Sequence, residues 1–410
     1  MDPSNVATDI ATPTNTPESR VSRKPATATR SLPGNAYTDP VLYEQELVEV
    51  FERAWILVGH ISELSEPGSY VTANVGREPV VVVRGHDGEL RAMSNVCRHR
   101  ASTILEGTGQ TRAVMRCPYH AWTYELDGRL AAAPSGQGFA CLDRDQVALP
   151  QFRIGVVGGL VFCCLDPDQM SLEEMLGPVG PYLEWLNVSG LEVHRNDDGA
   201  ARWTEDFEEN WKVLADNYLE DYHVPVAHPT LVRLVDVKET IGDNNDWCEW
   251  SRVPYRTRPS RDPREREYQS LIRRMPGMPE EFEGWMGHVC IWPTTFMEIY
   301  PHHIDTWQLE PTGLLRTRAT TMTMVHPEED DQAKRARELM RELNVDIMGQ
   351  DVDITTRVQR GVQAPSYHSG ILNDEQEFSV IRFQRRLREL LPRIAELEAT
   401  ATGARSVAAP

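Results

Sequence analysis

The chain has 410 residues, enough for two or three domains with sizeable cores. Its formal charge of -20 and pI near 5.1 argue against a nucleic-acid partner, because phosphate binding needs clustered Lys and Arg. No run approaches the roughly 18 apolar residues of a membrane span, and the N-terminus lacks a basic-then-apolar leader pattern, so the expectation is a cytoplasmic protein with no membrane contact. Seven cysteines, an odd number in such a chain, point to ligand or core roles rather than a disulfide framework.

Residues 1–36 are rich in Pro, Thr, Ser and Asn and lack aliphatic periodicity, which reads as a mobile tail. From Pro40 to Trp55 the apolar residues recur at helical spacing and predict a docking helix. Between Tyr70 and about Leu165 short β-rich runs such as PVVVVRG and GGLVFCCLD are broken by turn signals at Gly76 and Asp127-Gly128, predicting a small antiparallel sandwich or barrel. From Ser171 onward, helical segments near 171–187, 208–222 and 331–360 alternate with strand-like runs such as CIWPTTFMEIYP, HIDTWQLEP and LLRTRATTMTMVHP. That pattern predicts an α+β domain with an antiparallel sheet. The Arg-, Pro- and Glu-dense stretch 256–284 reads as a long surface loop or insertion. The expected division is therefore a tail (1–36), an all-β domain with its preceding helix (37–168), an α+β domain (169–395) and a flexible end (396–410).

Two constellations carry chemistry. In the first, Cys97-Arg98-His99 is followed after seventeen residues by Cys117-Pro118-Tyr119-His120. Two thiolates and two imidazoles on loops near strand ends can surround one inorganic centre. Zinc suits the same donors, but zinc fingers place them in a small ββα unit, whereas both pairs here lie in a β-rich module followed by AWTYELDG. Cys141, Cys163, Cys164, Cys248 and Cys290 have no His at such spacing and read as small core residues.

The second constellation lies in NWKVLADNYLEDYHVPVAHP. On a continuous helix, His223 and His228 would stand about 140° apart. Pro225 disfavours helical geometry at Val224, so a bend between them lets both rings face one point. Two His and one carboxylate leave open positions on Fe(II) for O2, the ligand set of non-haem iron oxygenases.

The spacing and flanks of the first constellation, together with NWKxxxDNYLEDYH, the second His and QDxxxxxxVQRG in that order, resemble the catalytic (alpha) subunits of Rieske non-haem iron oxygenases. The resemblance covers nearly the whole chain past the tail. It implies a Rieske [2Fe-2S] cluster held by Cys97, His99, Cys117 and His120, with a potential raised by the two imidazoles. Ala101 departs from the Gly that usually follows the His-Arg pair. The resemblance further implies a helix-grip-like catalytic domain with a mononuclear Fe(II) on His223, His228 and Asp351. Asp353 is the rival third ligand, about 200° away on the same helix. Glu220 is expected to bridge His223 to His120 of a neighbouring subunit, with Asp221 as its fallback, and Asn217 to lie near the iron. The family packs head to tail as homotrimers, receives electrons through a separate flavin or iron–sulfur reductase, with or without a ferredoxin, and uses O2 as co-substrate. With no GxGxxG or flavin motif, the chain needs that reductase to draw on NAD(P)H.

For the small-molecule substrate, Trp292, Phe296, Tyr300 and Trp307 are expected to line the pocket. DNYLEDYHVPVAHP looks more like the branch acting on N-methyl and quaternary ammonium compounds, whose cations aromatic faces can hold. Monooxygenation at an N-methyl carbon is the expectation, with hydroxylation or O-demethylation of an aromatic acid as the alternative. A non-catalytic Rieske electron carrier is the alternative of another class, and it would need neither His223, His228 nor Asp351.

Overall fold

The computed structural model describes residues 28–403 apart from 136, 137, 140, 145 and 197, so most of the expected tail and the last seven residues lie outside it. Within it, the packed chain begins earlier than residue 37. Arg30 bridges Ile371, and Leu32 is fully buried with its amide donating to Gln384 Oε1 at 2.8 Å. Single anchors of this kind leave no periodic trace in a Pro- and Ser-rich stretch.

Helix α1 (Pro40–Glu46) starts where Asp39 accepts from the Leu42 amide and Pro40 occupies the first turn, both favourable at a helix start. It runs into one π-turn, Leu47–Phe51, and stops there rather than at Trp55. The strands of the first domain are β1 (Ile56–His60), β2 (Ser69–Val75), β3 (Glu78–Arg84), β4 (Leu90–Ser94), β5 (Thr108–Gln110), β6 (Val114–Arg116), β7 (Thr123–Glu125), β8 (Leu130–Ala132), β9 (Gln151–Val157) and β10 (Leu160–Cys164). They make a seven-stranded antiparallel sheet in the order β1-β10-β9-β4-β3-β2-β5 and a small sheet β6-β7-β8. Val80–Val83 are all buried: Val81 and Val83 pack towards the small sheet with Met115, Trp122 and Tyr124, and Val80 and Val82 pack on the opposite face.

The expected helix at 171–187 divides into α2 (Leu172–Leu176) and α3 (Val179–Trp185), because Gly177 leaves helical geometry with φ 25° and Pro178 follows it. The second domain is built on strands β11 (Glu192–Val193), β12 (Trp203–Phe207), β13 (Ile241–Asn244), β14 (Cys248–Pro254), β15 (Trp285–Ile291), β16 (Thr295–Tyr300), β17 (His303–Gly313) and β18 (Arg316–Val325). Their antiparallel order is β11-β18-β17-β16-β15-β14-β13, with β12 also paired to β18. Helices α4 (Trp211–Tyr218), α5 (Val224–Ala227) and α6 (Pro229–Leu234) interrupt the strands, and the 32-residue α8 (Asp331–Val362) packs against the sheet and against α4. The stretch 256–284 is not a plain loop. It holds α7 (Pro263–Leu271), capped by Asp262, with Tyr268 fully buried in the core shared by α8 and β16. Helices α9 (Phe378–Leu390) and α10 (Arg393–Gly403) close the chain, and buried Leu397 carries the packed domain past residue 395. No described helix is long and apolar enough to cross a membrane.

A buried ion pair ties the N-terminal helix to the catalytic domain. Glu46 on α1 accepts from Lys212 Nζ at 2.6 Å and from Trp211 Nε1 at 2.8 Å, and all three side chains are excluded from water. Removing one partner of such a pair strands the other charge. Lys212→Met is therefore expected to lower unfolding free energy by about 3–5 kcal/mol, read as a lowered urea midpoint with an unchanged slope.

Candidate active site

The first four candidate ligands sit on two loops of matching design. The Ala101 amide donates to Cys97 O at 3.0 Å and the Ala121 amide to Cys117 O at 3.1 Å, so each Cys heads a tight turn that carries its His. Both alanines pay for that turn with φ 57°, in the left-handed region that disfavours a Cβ. Ala121 was not singled out in the sequence, although it follows His120 directly. Replacing Ala101 or Ala121 by Gly is expected to stabilise the loops by up to about 1.5 kcal/mol: a left-handed Ala costs about 1–2 kcal/mol, and Gly returns about 0.4–1 in unfolded-chain entropy. The temperature at which cluster absorbance is lost measures this.

The donors segregate into two pairs. The Cys97 and Cys117 thiols are buried and hydrogen bonded to each other, while the His99 and His120 rings stand 4.6 Å apart, edge to face, with His120 at the surface. Burial pushes the Cys117 thiol up, but the Tyr119 and His120 amides and the Cys97 and Ser102 side chains outweigh it and hold it below the usual thiol range. Tyr124 contacts Cys97 Sγ at 3.5 Å and accepts from the Arg98 amide at 2.9 Å. His99 is stacked on Trp122 at 5.0 Å, and its Nδ1 is buried with no partner among the described residues. An orphaned imidazole nitrogen in a fixed ring is a donor waiting for a metal. Of the other cysteines, Cys163, Cys164, Cys248 and Cys290 are buried as expected, whereas Cys141 is exposed.

The second site forms where α4 ends. The helix stops at Tyr218, earlier than the expected 222, and the chain then makes the single turn α5 between His223 and His228. Pro225 sits harmlessly in the first turn of α5. The break comes at His228 (φ -118°, ψ 77°), which Pro229 pushes out of helical geometry. His223 Nε2 and His228 Nε2 are 3.1 Å apart, and Asp351 Oδ1 on α8 lies 3.0 Å from the second and 3.7 Å from the first. Among the described residues, these three form the group whose ligand atoms all lie within 4.8 Å and could hold one metal ion. Asp353 faces solvent in an ion pair with Arg357 at 2.9 Å and takes no part.

Each imidazole is oriented through its other nitrogen. His223 Nδ1 bonds Glu220 Oε1 at 2.6 Å, and the second Glu220 oxygen accepts from the His223 amide at 3.0 Å. His228 Nδ1 bonds Gln350 Oε1 at 2.9 Å, a partner the sequence reading missed although it precedes Asp351 directly. Asn217 Nδ2 donates to Asp351 Oδ1 at 3.0 Å. Asp221 is exposed and makes none of these contacts. Both Nε2 atoms are thus left for a metal.

A cavity of about 120 Å³ opens on Asp351 and Asn217, walled by Phe207, Tyr218, Phe296 and Trp307. Trp292 and Tyr300, expected in the same wall, lie elsewhere. Trp292 sits beyond the end of β15 and packs on Phe383, and Tyr300 is buried under α8. Glu298, between Phe296 and Tyr300 on β16, also lines the cavity. Burial, against the pull of a hydrogen bond from Tyr300 and helped by Asp305 and Asp351, pushes its carboxyl up to about 7.

Comparison with known proteins agrees with this two-centre geometry. A model of the Rieske [2Fe-2S] domain matches residues 54–151, and one of the ring hydroxylating alpha subunit (catalytic domain) matches residues 196–393. The chain belongs to the Rieske oxygenase catalytic subunits. It is similar to the glycine betaine monooxygenase oxygenase subunit of Chromohalobacter salexigens, 29% identical over 86% of this chain and 84% of that one. The carnitine monooxygenase oxygenase subunit of Escherichia coli K12 is 40% identical over 200 residues, a match spanning 48% of this chain and about half, 52%, of that relative. Among solved structures, the quaternary ammonium Rieske monooxygenase CntA in complex with L-carnitine is 26% identical with a TM-score of 0.73, over 89% of this chain and 96% of that one. Naphthalene 1,2-dioxygenase from a Rhodococcus, 22% identical with a TM-score of 0.67 over 88% and 94%, shares the fold. Rieske oxygenase subunits are oxidoreductases that use a [2Fe-2S] cluster and a mononuclear iron, and the orphaned His99 Nδ1 and the His223, His228, Asp351 cluster fit those two groups.

Proposed function

We propose that this Rieske oxygenase subunit monooxygenates an N-methyl carbon of a small ammonium compound, which then leaves as formaldehyde. Cys97, His99, Cys117 and His120 would hold the cluster and His223, His228 and Asp351 the Fe(II), groups that would supply electron storage and O2 activation. A separate flavin or iron–sulfur reductase supplies the electrons, with or without a ferredoxin, and the setting is cytoplasmic. The subunits form a head-to-tail homotrimer or a multiple of it, a heterologous ring that would set one subunit's cluster residues beside the next subunit's iron ligands. Glu220, already on His223 Nδ1, links across that boundary to His120 of the partner subunit. Asn217 keeps the Asp351 carboxylate turned to the metal.

The observation that carries the substrate reading is the cavity wall. Tyr218 and Phe296 stand 4.4 Å apart at its side and Trp307 is the cross-strand neighbour of Phe296, so the wall offers aromatic faces that can hold a cationic nitrogen. Relatives named for glycine betaine, carnitine and choline support the same reading.

His223→Ala is expected to remove about one iron per chain and abolish turnover while leaving the cluster's spin-resonance signal, whereas Asp353→Asn changes neither. Glu220→Gln should keep both metal centres and still lower kcat by about 10- to 100-fold, because the link between them is weakened. With a generic reductase, wild-type protein is expected to release formaldehyde from N-methyl amines and quaternary ammonium compounds. Hydroxylated product from aromatic acids without formaldehyde would overturn the substrate reading.

A further inference from the structure

Two carboxylates line the cavity at the iron site, Asp351 and Glu298, and no described lining residue is Lys or Arg. Asp351 is one of the three converging ligands. Glu298 is left as an acid whose hydrogen-bond donor is a neutral phenol: Tyr300 donates to it, and Asn344, also in the cavity wall, donates Nδ2 to the Tyr300 hydroxyl at 3.0 Å. Directly across the strand pair lies Asp305, which has its own partners in His303 Nε2 at 3.3 Å and Thr323 Oγ1 at 2.6 Å. Among groups that carry positive charge, Glu298 feels His228 of the metal site, and no described Lys or Arg lines the cavity to pair with it. A carboxylate withdrawn from water without a cation is costly, and a cationic ligand in the cavity would relieve that cost.

We propose that the Glu298 carboxylate is the counter-ion for the substrate's cationic nitrogen and sets the preference for charged over neutral substrates. Tyr300 and Asn344 are positioning residues that aim the carboxylate. A quaternary nitrogen has no N–H to donate, so its recognition needs a field and aromatic faces rather than hydrogen-bond geometry; Glu298 supplies the first and Tyr218, Phe296 and Trp307 the second. This rests on the ammonium reading above and adds the residue that enforces it.

The test is calorimetric titration of the cluster- and iron-loaded enzyme with choline and with its neutral carbon isostere, 3,3-dimethylbutan-1-ol. Wild-type protein is expected to favour choline. Glu298→Gln, nearly isosteric, should weaken choline binding on the order of thirtyfold and leave the isostere little changed. Glu298→Asp should restore part of the preference, and Tyr300→Phe, which keeps the charge but not its aim, should lose part of it. Unchanged discrimination in Glu298→Gln or, should that variant fail to fold, in Tyr300→Phe, with metal content and cluster absorbance intact, overturns the proposal; so does a wild-type enzyme without preference for the cation. A wild-type enzyme that favours choline yet releases no formaldehyde from any N-methyl compound overturns the demethylation reading and leaves the counter-ion standing.

Discussion

Two imidazoles five residues apart can share a metal only where the helix between them is broken. Everything in the catalytic domain follows from how this chain breaks it. Helix α4 ends at Tyr218, one turn of helix separates His223 from His228, and Pro229 forces His228 out of helical geometry so that its Nε2 turns back to within 3.1 Å of its companion. Glu220, just past the end of α4, orients His223, and Asn217, in its last turn, steadies Asp351. On a straight helix Asn217, Glu220, His223 and His228 would span an arc of about 140°, with the two histidines at its opposite ends.

A broken segment needs firm walls, and they come from outside it. The buried Glu46 carboxylate grips Trp211 and Lys212 at the start of α4, so the N-terminal helix of one domain holds the catalytic helix of the other. Asn210 is locked at the same end by its amide donating to Gln359 Oε1 on α8 at 2.8 Å. The iron ligands thus hang from α4 and α8, which are fixed to each other, and the irregular stretch between Leu219 and His228 has little freedom left to misplace them.

The ligand sets were legible because metals demand particular side chains at short, fixed spacings: Cys97-x-His99, Cys117-x-x-His120 and His223 with His228 stand together in the chain before they do in space. The division into a β-rich half and an α+β half was equally readable from the change in apolar period at Ser171. What escaped was set by tertiary placement. Alternation along β16 put Phe296 and Tyr300 on one face correctly, but α8 covers Tyr300 and leaves Phe296 open, and nothing local in the strand announces where a distant helix lies. Leu32 docks as a lone anchor, Tyr268 is buried within a stretch of mostly charged residues, and Gln350 acts through a histidine 122 positions away. The bend was expected from Pro225, but Pro229 supplies it: both prolines restrict the residue before them, and only the second has a metal ligand there.

The length of α8 gives the site a mechanical character. At about 1.5 Å per residue, Asp351 lies about 30 Å from the far end of the helix, where it begins, and α7 grips the helix along the way from Gln332 to Asp346. A tilt of about two degrees about that far end displaces the carboxylate by about 1 Å, enough to cost a positioned ligand much of its effect. Tyr268, Leu339 and Met340, remote from any metal, therefore govern how still the iron is held, and cavities opened among them would be felt as poor chemistry before they were felt as unfolding.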